Sequence, residues 1–217
     1  MRSNRTNNLE LFQGINLDVN ASWGLCLKVQ EKLIELLGSH GLNPSSIHGQ
    51  GQRARFLIEE ARDAIRKLIN APASAQVIFS SGATEANSLA LLQPFLSGKS
   101  PSSYLTTAFE HPSVLEPLAF LAQRGWKGQR VKPSPEGAIS PEQFVLELSA
   151  DTAIASLMLA NNEIGSVLPV AEVAKLIRSS NSTTLLHTDA VQALGKMELD
   201  FSALGVDMMA ISGHKIG

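Results

Sequence analysis

The hydrophobic pattern in the first third of the chain predicts helices. Apolar residues recur at intervals of three and four between Leu25 and Leu37, which is the spacing of one helical face. A longer amphipathic helix is predicted from Gln50 to Asn70, with an outer face rich in arginine and glutamate. The polar run 43–49 predicts a loop between the two helices. Residues 1–14 are expected to form a loose arm, and residues 15–18 a short strand.

After Pro72, short apolar runs alternate with helical patterns. The predicted strands cover residues 76–79, 104–107, 128–131, 153–159, 184–187 and 206–211. Two predicted helices end at Leu96 and at Gln123. A third begins at Pro141, directly after the capping residue Ser140, and a fourth runs from Pro169 to Ser179. This alternation predicts an α/β fold, in which a mostly parallel sheet is covered by helices on both faces.

Composition narrows the class of protein. The chain has 217 residues, 44% of them hydrophobic and 18% charged, which suits a globular α/β domain with a substantial core. A net charge of −2 gives no reason to expect a nucleic-acid surface. Cys26 is the one cysteine, so no disulfide can form within the chain. We expect a cytoplasmic protein without a membrane segment, because residues 1–8 are polar and no apolar run is long enough to cross a bilayer.

Chemically useful residues follow the predicted strands, and parallel sheets bind ligands outside the carboxyl ends of their strands. The turn Ser81-Gly82-Ala83-Thr84 opens a helix, so its backbone N–H groups, the Thr84 hydroxyl and the helix dipole suit a phosphate. It matches neither a P-loop nor a GxGxxG pattern, which favours a phosphate ligand other than a nucleotide. The alternative is an ordinary strand–helix turn with a capping residue.

The other strand ends each allow two interpretations. His111 could lie flat on a ring and shuttle a proton, or could be a capping or core histidine. Asn162 could donate to a ligand oxygen or belong to a plain turn. Asp189 could pair with a protonated ring nitrogen or cap the turn at Ala190, and Gln192 lies close by. Lys215 could be a surface lysine, or an amine whose burial favours attack on an aldehyde.

Taken together, these groups predict one cofactor, pyridoxal 5'-phosphate (PLP). It needs a phosphate cradle, a stacking group, an amide donor, a carboxylate partner for the pyridine nitrogen, and a lysine for the aldehyde. The chain resembles the class V aminotransferases of PLP fold type I, and most closely the cysteine desulfurases of the NifS/IscS kind. The matching segments occur in the family's order at residues 43–48, 81–87, 110–117, 161–165, 187–192 and 212–215.

The resemblance implies a role for each candidate residue. Lys215 would bind the cofactor aldehyde, Asp189 would hold the pyridine nitrogen, and His111 would stack on the ring and help move protons. Asn162 and Gln192 would contact the side of the ring that carries the hydroxyl group. The residues implied to hold the phosphate are Ala83, Thr84, Ser212 and His214. No metal ligand is implied.

The family reaction converts L-cysteine to L-alanine and passes the sulfur, as a persulfide, to an acceptor or scaffold protein for iron–sulfur or thio-cofactor assembly. The resemblance also implies a homodimer at full length. We expect residues 15–217 to be an incomplete large domain, an N-terminal fragment without the small domain and inactive by itself, because the family's sulfur-accepting cysteine and substrate arginine lie after the lysine. Cys26 is expected to be a small core residue. Residues 18–24 depart from the family pattern, which would alter the substrate entrance.

Two other functions remain open at this stage. Another class V enzyme, such as a selenocysteine lyase or an aminotransferase, would use the same cofactor pocket. Segments 110–117 and 161–165 favour a desulfurase over these enzymes. A non-catalytic remnant that binds PLP weakly, or that only docks on a full-length partner, is the alternative from a different functional class.

Overall fold

The computed structural model describes residues 17–18, 20–21, 24–38, 43–180 and 182–217. Its helices are α1 (Leu27–Leu37), α2 (Gly49–Leu68), α3 (Ala83–Leu96), α4 (Pro112–Ala122), α5 (Pro141–Leu146), α6 (Val170–Ser179) and α7 (Phe201–Leu204). Its strands are β1 (Ser103–Thr107), β2 (Lys127–Val131), β3 (Thr152–Ser156), β4 (Leu185–Asp189) and β5 (Met208–Ala210). A 3₁₀ turn at Gly213–Lys215 follows β5. The predicted arm lies outside the described residues, as does half of the predicted strand 15–18.

The five strands form one sheet in the order β2-β1-β3-β4-β5, and every pair is parallel. Within it, Ser156 of β3 lies beside His187 of β4, and Asp189 of β4 lies beside Ala210 of β5. The predicted parallel sheet is therefore confirmed for the described strands. Since all its strands run the same way, their carboxyl ends lie at one edge.

Buried apolar side chains form two clusters, one on each face of the sheet. Tyr104 and Ile154 pack with residues of α3 and α4, whereas their strand neighbours Leu105 and Ala155 pack with residues of α5 and α6. Adjacent residues of a strand point to opposite faces, so this division places helices on both sides. Strands β1, β3 and β4 are buried between two helical layers, whereas the edge strand β2 is largely exposed. Ligands can therefore reach the buried strands only at their ends.

Segment 76–79, predicted as a strand, does not join the sheet. Its residues pair with none of the five described strands, and Ile78 and Phe79 are 70% and 51% exposed. Arginine side chains of α2 take the place of a neighbouring strand, because Arg66 Nε donates to the Ala75 oxygen (2.9 Å) and Arg62 Nε to the Val77 oxygen (3.0 Å). The apolar pattern was typical of a strand, but two backbone carbonyls here are satisfied by side chains.

The other differences are smaller. Strand β3 ends at Ser156 rather than at Leu159, and the short helix α7 was not predicted. The predicted caps formed as expected at α5, where the Ser140 hydroxyl accepts from the Gln143 N–H at 3.3 Å. Helix α1 also formed, although none of its residues is buried. Across the described residues, every helix is too short or too polar to cross a membrane.

Candidate functional site at the carboxyl edge of the sheet

Asp189 is the last residue of β4 and is 5% exposed. Its Oδ1 accepts from the Val191 N–H (3.0 Å), and its Oδ2 accepts from the Asn87 amide (2.8 Å). Both donors are neutral, and no salt bridge to Asp189 forms within the described part of the chain. A buried carboxylate without a cationic partner is costly, so this position favours a ligand that carries a positive charge.

A second acid, Glu110, lies near Asp189 and is buried. Its Oε1 accepts from the Met158 N–H (2.8 Å) and from the Thr107 hydroxyl (3.1 Å). Burial raises the pKa of Glu110 to about 8, against the effect of the Met158 hydrogen bond and with a contribution from the negative charge of Asp189. Glu110 is therefore mostly protonated at neutral pH. Asp189 is left as the anionic partner for a cationic ligand.

Asp189 is connected to His111 through two residues that the sequence analysis did not single out. Asn87, 0% exposed, donates from Nδ2 to Asp189 and also to the Ser113 hydroxyl oxygen (2.9 Å). That oxygen lies 2.7 Å from Nδ1 of His111, which also caps α4 by accepting from the Ser113 N–H (3.1 Å). A signal for Asn87 was available, since it lies four residues before the buried Leu91 on the inner face of α3.

Lys215 lies in the turn after β5. Its Nζ donates to the backbone oxygens of Asn20 and Ala21, both at 2.7 Å. Gln192 donates to the same Asn20 oxygen (3.2 Å), and Lys196 donates to the Asn20 side chain (2.8 Å) and to Gln192. Burial lowers the pKa of Lys196, and the positive charge of Lys215 lowers it further. The structure thus brings Lys215, Gln192 and Lys196 together around Asn20.

The residues expected to hold phosphate form two groups. Ala83 and Thr84 are the first residues of α3, where backbone N–H groups have no partner inside the helix. Ser212 and His214 follow β5, and the Ser212 hydroxyl lies 2.7 Å from Nδ1 of His214. Helix α3 packs against β4 and β5, which places the two groups on neighbouring elements. No described hydrogen bond joins one group to the other.

Asn162 and Cys26 differ from the other candidates. The side chain of Asn162 makes no hydrogen bond to a described residue, whereas its neighbour Asn161 shapes the turn by accepting from the N–H groups of Glu163 (2.8 Å) and Ile164 (3.0 Å). Cys26 is exposed just before α1, so the expectation that it is a core residue is wrong. The apolar stripe of α1 is exposed too, so the helical pattern did not indicate burial.

The model of the aminotransferase class-V family matches residues 15–217. The chain belongs to the aminotransferase class-V family. Among curated relatives, it is 38% identical over 202 residues to the cysteine desulfurase IscS of Dictyoglomus turgidum, which covers 93% of this chain and 50% of the relative. The chain therefore spans about half the length of the curated relatives it matches.

Two solved structures have the same fold as this chain. A structure titled SspA in complex with cysteine matches 91% of this chain and 56% of its own, with 28% identity and a TM-score of 0.84. DndA from Streptomyces lividans matches 88% of this chain and 53% of its own, with 39% identity and a TM-score of 0.75. The predicted fold, the large domain of PLP fold type I, is confirmed.

The chemistry of the described residues fits PLP. A buried carboxylate without a cation suits a protonated pyridine nitrogen, and a free helix N-terminus suits a phosphate. A lysine in the turn after β5 suits an aldehyde. All three lie at the carboxyl ends of β4 and β5 or on the helix that packs against these strands.

Proposed function

We propose that this chain is the PLP-binding part of a cysteine desulfurase. The observation that carries the proposal is the buried carboxylate of Asp189, at the same sheet edge as Lys215. Among the described residues, only neutral groups donate hydrogen bonds to this carboxylate. Such a carboxylate suits a ring nitrogen that must stay protonated. When bound, PLP supplies an electron sink that stabilises negative charge on the substrate's α-carbon.

The proposal gives a role to each candidate site residue. Asp189 holds the proton on the ring nitrogen, and Lys215 provides the amine that anchors the aldehyde. His111 lies over the ring and holds or moves a proton, while Asn162 and Gln192 donate to the oxygen side of the ring. The phosphate is held by Ala83, Thr84, Ser212 and His214.

The proposed substrate is L-cysteine, and the products are L-alanine and sulfur passed to an acceptor protein for iron–sulfur cluster or thio-cofactor assembly. The names of the relatives support this choice, since they are cysteine desulfurases, and SspA was solved with cysteine. We further propose a cytoplasmic enzyme that works as a homodimer at full length. No observation favours a selenocysteine lyase or an aminotransferase over this function.

Covalent trapping tests the cofactor site. The chain is incubated with PLP, reduced with borohydride, digested and mapped by mass spectrometry. The label is expected on Lys215, and the Lys215→Ala variant should lose it while retaining its circular dichroism spectrum. Lys196→Ala is the matched control, because Lys196 also contacts Asn20 and should not be needed for labelling. Label on another lysine, with Lys215 unmodified, would exclude the proposed pocket.

Substrate assays test the reaction separately. The PLP-loaded chain is given L-cysteine with a thiol acceptor, and alanine and sulfide are measured. Equal amounts of both products support a desulfurase. Product from selenocysteine alone indicates a lyase, and keto acid without sulfide indicates an aminotransferase. A labelled chain that forms no product is the result expected of a cofactor-binding part that is inactive by itself.

A further inference from the structure

A continuous hydrogen-bonded path joins Asp189 to His111. It runs from Asp189 Oδ2 to Asn87 Nδ2 (2.8 Å), from Nδ2 to the Ser113 hydroxyl oxygen (2.9 Å), and from that oxygen to His111 Nδ1 (2.7 Å). The other three residues of this path, Asp189, Asn87 and Ser113, are buried. Asp189 and Asn87 are 102 positions apart in the sequence, so the fold alone creates the path.

The chemistry of the path fixes its direction. A carboxylate can only accept, so Asn87 must present its NH₂ group to Asp189; the flipped amide would place two oxygens together. The second hydrogen of the same NH₂ group then points to Ser113, whose oxygen accepts it. The Ser113 hydroxyl is consequently free to donate its own hydrogen to Nδ1 of His111. A neutral imidazole that accepts at Nδ1 carries its proton on Nε2.

We propose that Asn87 and Ser113 are positioning residues that couple Asp189 to His111 and hold the imidazole with its proton on Nε2. The proposal rests on the proposed function, because that function places His111 over the cofactor ring. Nε2 is then the nitrogen that donates a proton. Nδ1 can take up a proton only if the Ser113 hydroxyl turns away. The ionised partner of the ring nitrogen and the proton-handling histidine therefore share one network.

A simpler structural role makes a different prediction. His111 caps α4, and the Ser113 N–H donates to Nδ1 at 3.1 Å. If this backbone contact alone selects the tautomer, the side chains of Asn87 and Ser113 are irrelevant to it. The direction of the Ser113 hydroxyl is what distinguishes the two explanations, and one isosteric substitution reverses it.

That substitution is Asn87→Asp. A carboxyl group at this position keeps the shape of the amide, shares a proton with Asp189, and presents an oxygen that accepts from Ser113. The Ser113 oxygen is then free to accept from Nδ1–H, so the fraction of His111 with its proton on Nδ1 should rise several-fold. Ser113→Ala removes the hydroxyl and should raise the same fraction less, because the backbone contact remains. Ser113→Thr should restore the Nε2–H form.

The measurement is the ¹⁵N chemical shift of the imidazole nitrogens in the full 217-residue chain without cofactor, at a pH where histidine is neutral. His111→Gln assigns the signals. Ser140→Ala is the control, since it removes another helix-capping hydroxyl, which makes no hydrogen bond to a described histidine. Unchanged shifts in both Asn87→Asp and Ser113→Ala, with the amide spectrum still folded, would overturn the proposal. If Asn87→Asp does not fold, the comparison of Ser113→Ala with Ser113→Thr decides whether the proposal holds.

This experiment is independent of the cofactor. If Lys215 is not labelled by PLP, the tautomer result still reports on the network, and the proposed function fails by itself. If the tautomer does not respond while Lys215 is labelled, the function stands and the coupling is absent.

Discussion

Lys215 and Gln192 share one hydrogen-bond acceptor, the backbone oxygen of Asn20, at 2.7 and 3.2 Å. Lys196 reaches the side chain of the same asparagine, so two cations and an amide meet the segment that precedes α1. The proposed cofactor lysine is thus held by carbonyl groups that lie 195 and 194 positions earlier in the sequence. Its amine must leave both carbonyls before it can react with an aldehyde.

The proximity of the two lysines can be tested. Replacing Lys215 by Gln removes the nearby positive charge and should raise the pKa of Lys196 towards its ordinary value. The shift should be partial, because burial is the larger cause of the depression. The pKa is measured by NMR titration of ¹³C-methylated lysines. Lys175→Gln, at an exposed position on α6, is the control and should leave Lys196 unchanged.

The buried acid Glu110 should make the fold less stable as the pH rises. Its pKa is raised to about 8 in the folded chain, so the folded state holds a proton that the unfolded chain releases near pH 4.5. This stabilisation is complete below pH 4.5 and is lost as the pH rises through 8, by an amount on the order of a few kcal/mol. Glu110→Gln keeps the two hydrogen bonds to Oε1 and should make the free energy of unfolding less dependent on pH in this range.

Urea unfolding at a series of pH values measures this dependence. Glu163→Gln, an exposed acid in the turn after β3, serves as the control and should retain the wild-type dependence. A wild-type free energy of unfolding that is flat between pH 5 and pH 9 would contradict the assignment of Glu110 as a buried neutral acid.

His187 should make the fold less stable as the pH falls, which is the opposite dependence from that of Glu110. It is fully buried beside the Ser156 hydroxyl (2.9 Å), and burial lowers its pKa to about 3. The unfolded chain takes up a proton near pH 6.5 that the folded chain refuses, so stability is complete above pH 6.5 and falls as the pH drops towards 3. His187→Gln should reduce the loss by on the order of a few kcal/mol. The same urea series measures this loss, with His48→Gln at an exposed position as the control. If the free energy of unfolding falls equally with decreasing pH in the wild type, His187→Gln and His48→Gln, the prediction is wrong.

The arginine contacts to segment 75–77 should be measurable in stability. Arg62→Lys and Arg66→Lys keep the charge but lose the Nε donors, and each should lower the free energy of unfolding by roughly 1–2 kcal/mol. Arg53→Lys, an exposed residue of the same helix, should have no effect. Hydrogen exchange should also quicken in the segment; unchanged exchange in the double variant would mean that other contacts hold it.

The elements of the fold were largely predictable because periodicity reports local backbone preference. It located every described helix except α7 to within a few residues and identified each described strand of the parallel sheet. It failed at residues 76–79, where arginine side chains rather than a strand satisfy the carbonyls. It also could not show that the apolar face of α1 is exposed, since a pattern gives the direction of a face and not what covers it.

The site was predictable in type but not in its connections. Lys215 stood out because a positive charge is unusual just after a buried apolar strand. Asp189 stood out because a carboxylate at the end of a strand can pair with a protonated ring nitrogen. Asn87 did not stand out, since an asparagine inside a helix has many ordinary explanations. Its importance comes from two contacts, one across 102 positions to Asp189 and one across 26 to Ser113. Such contacts depend on how helices pack over the sheet, which no local pattern records.

The contact between Asn20 and Lys215 also bears on how the protein is made. The two residues are 195 positions apart, so a ribosome exposes Asn20 long before it synthesises the lysine. Domains fold largely as units once enough of their chain has emerged. The pocket therefore cannot close before Lys215 has emerged from the ribosome, and a nascent chain cannot capture its small-molecule ligand before that moment.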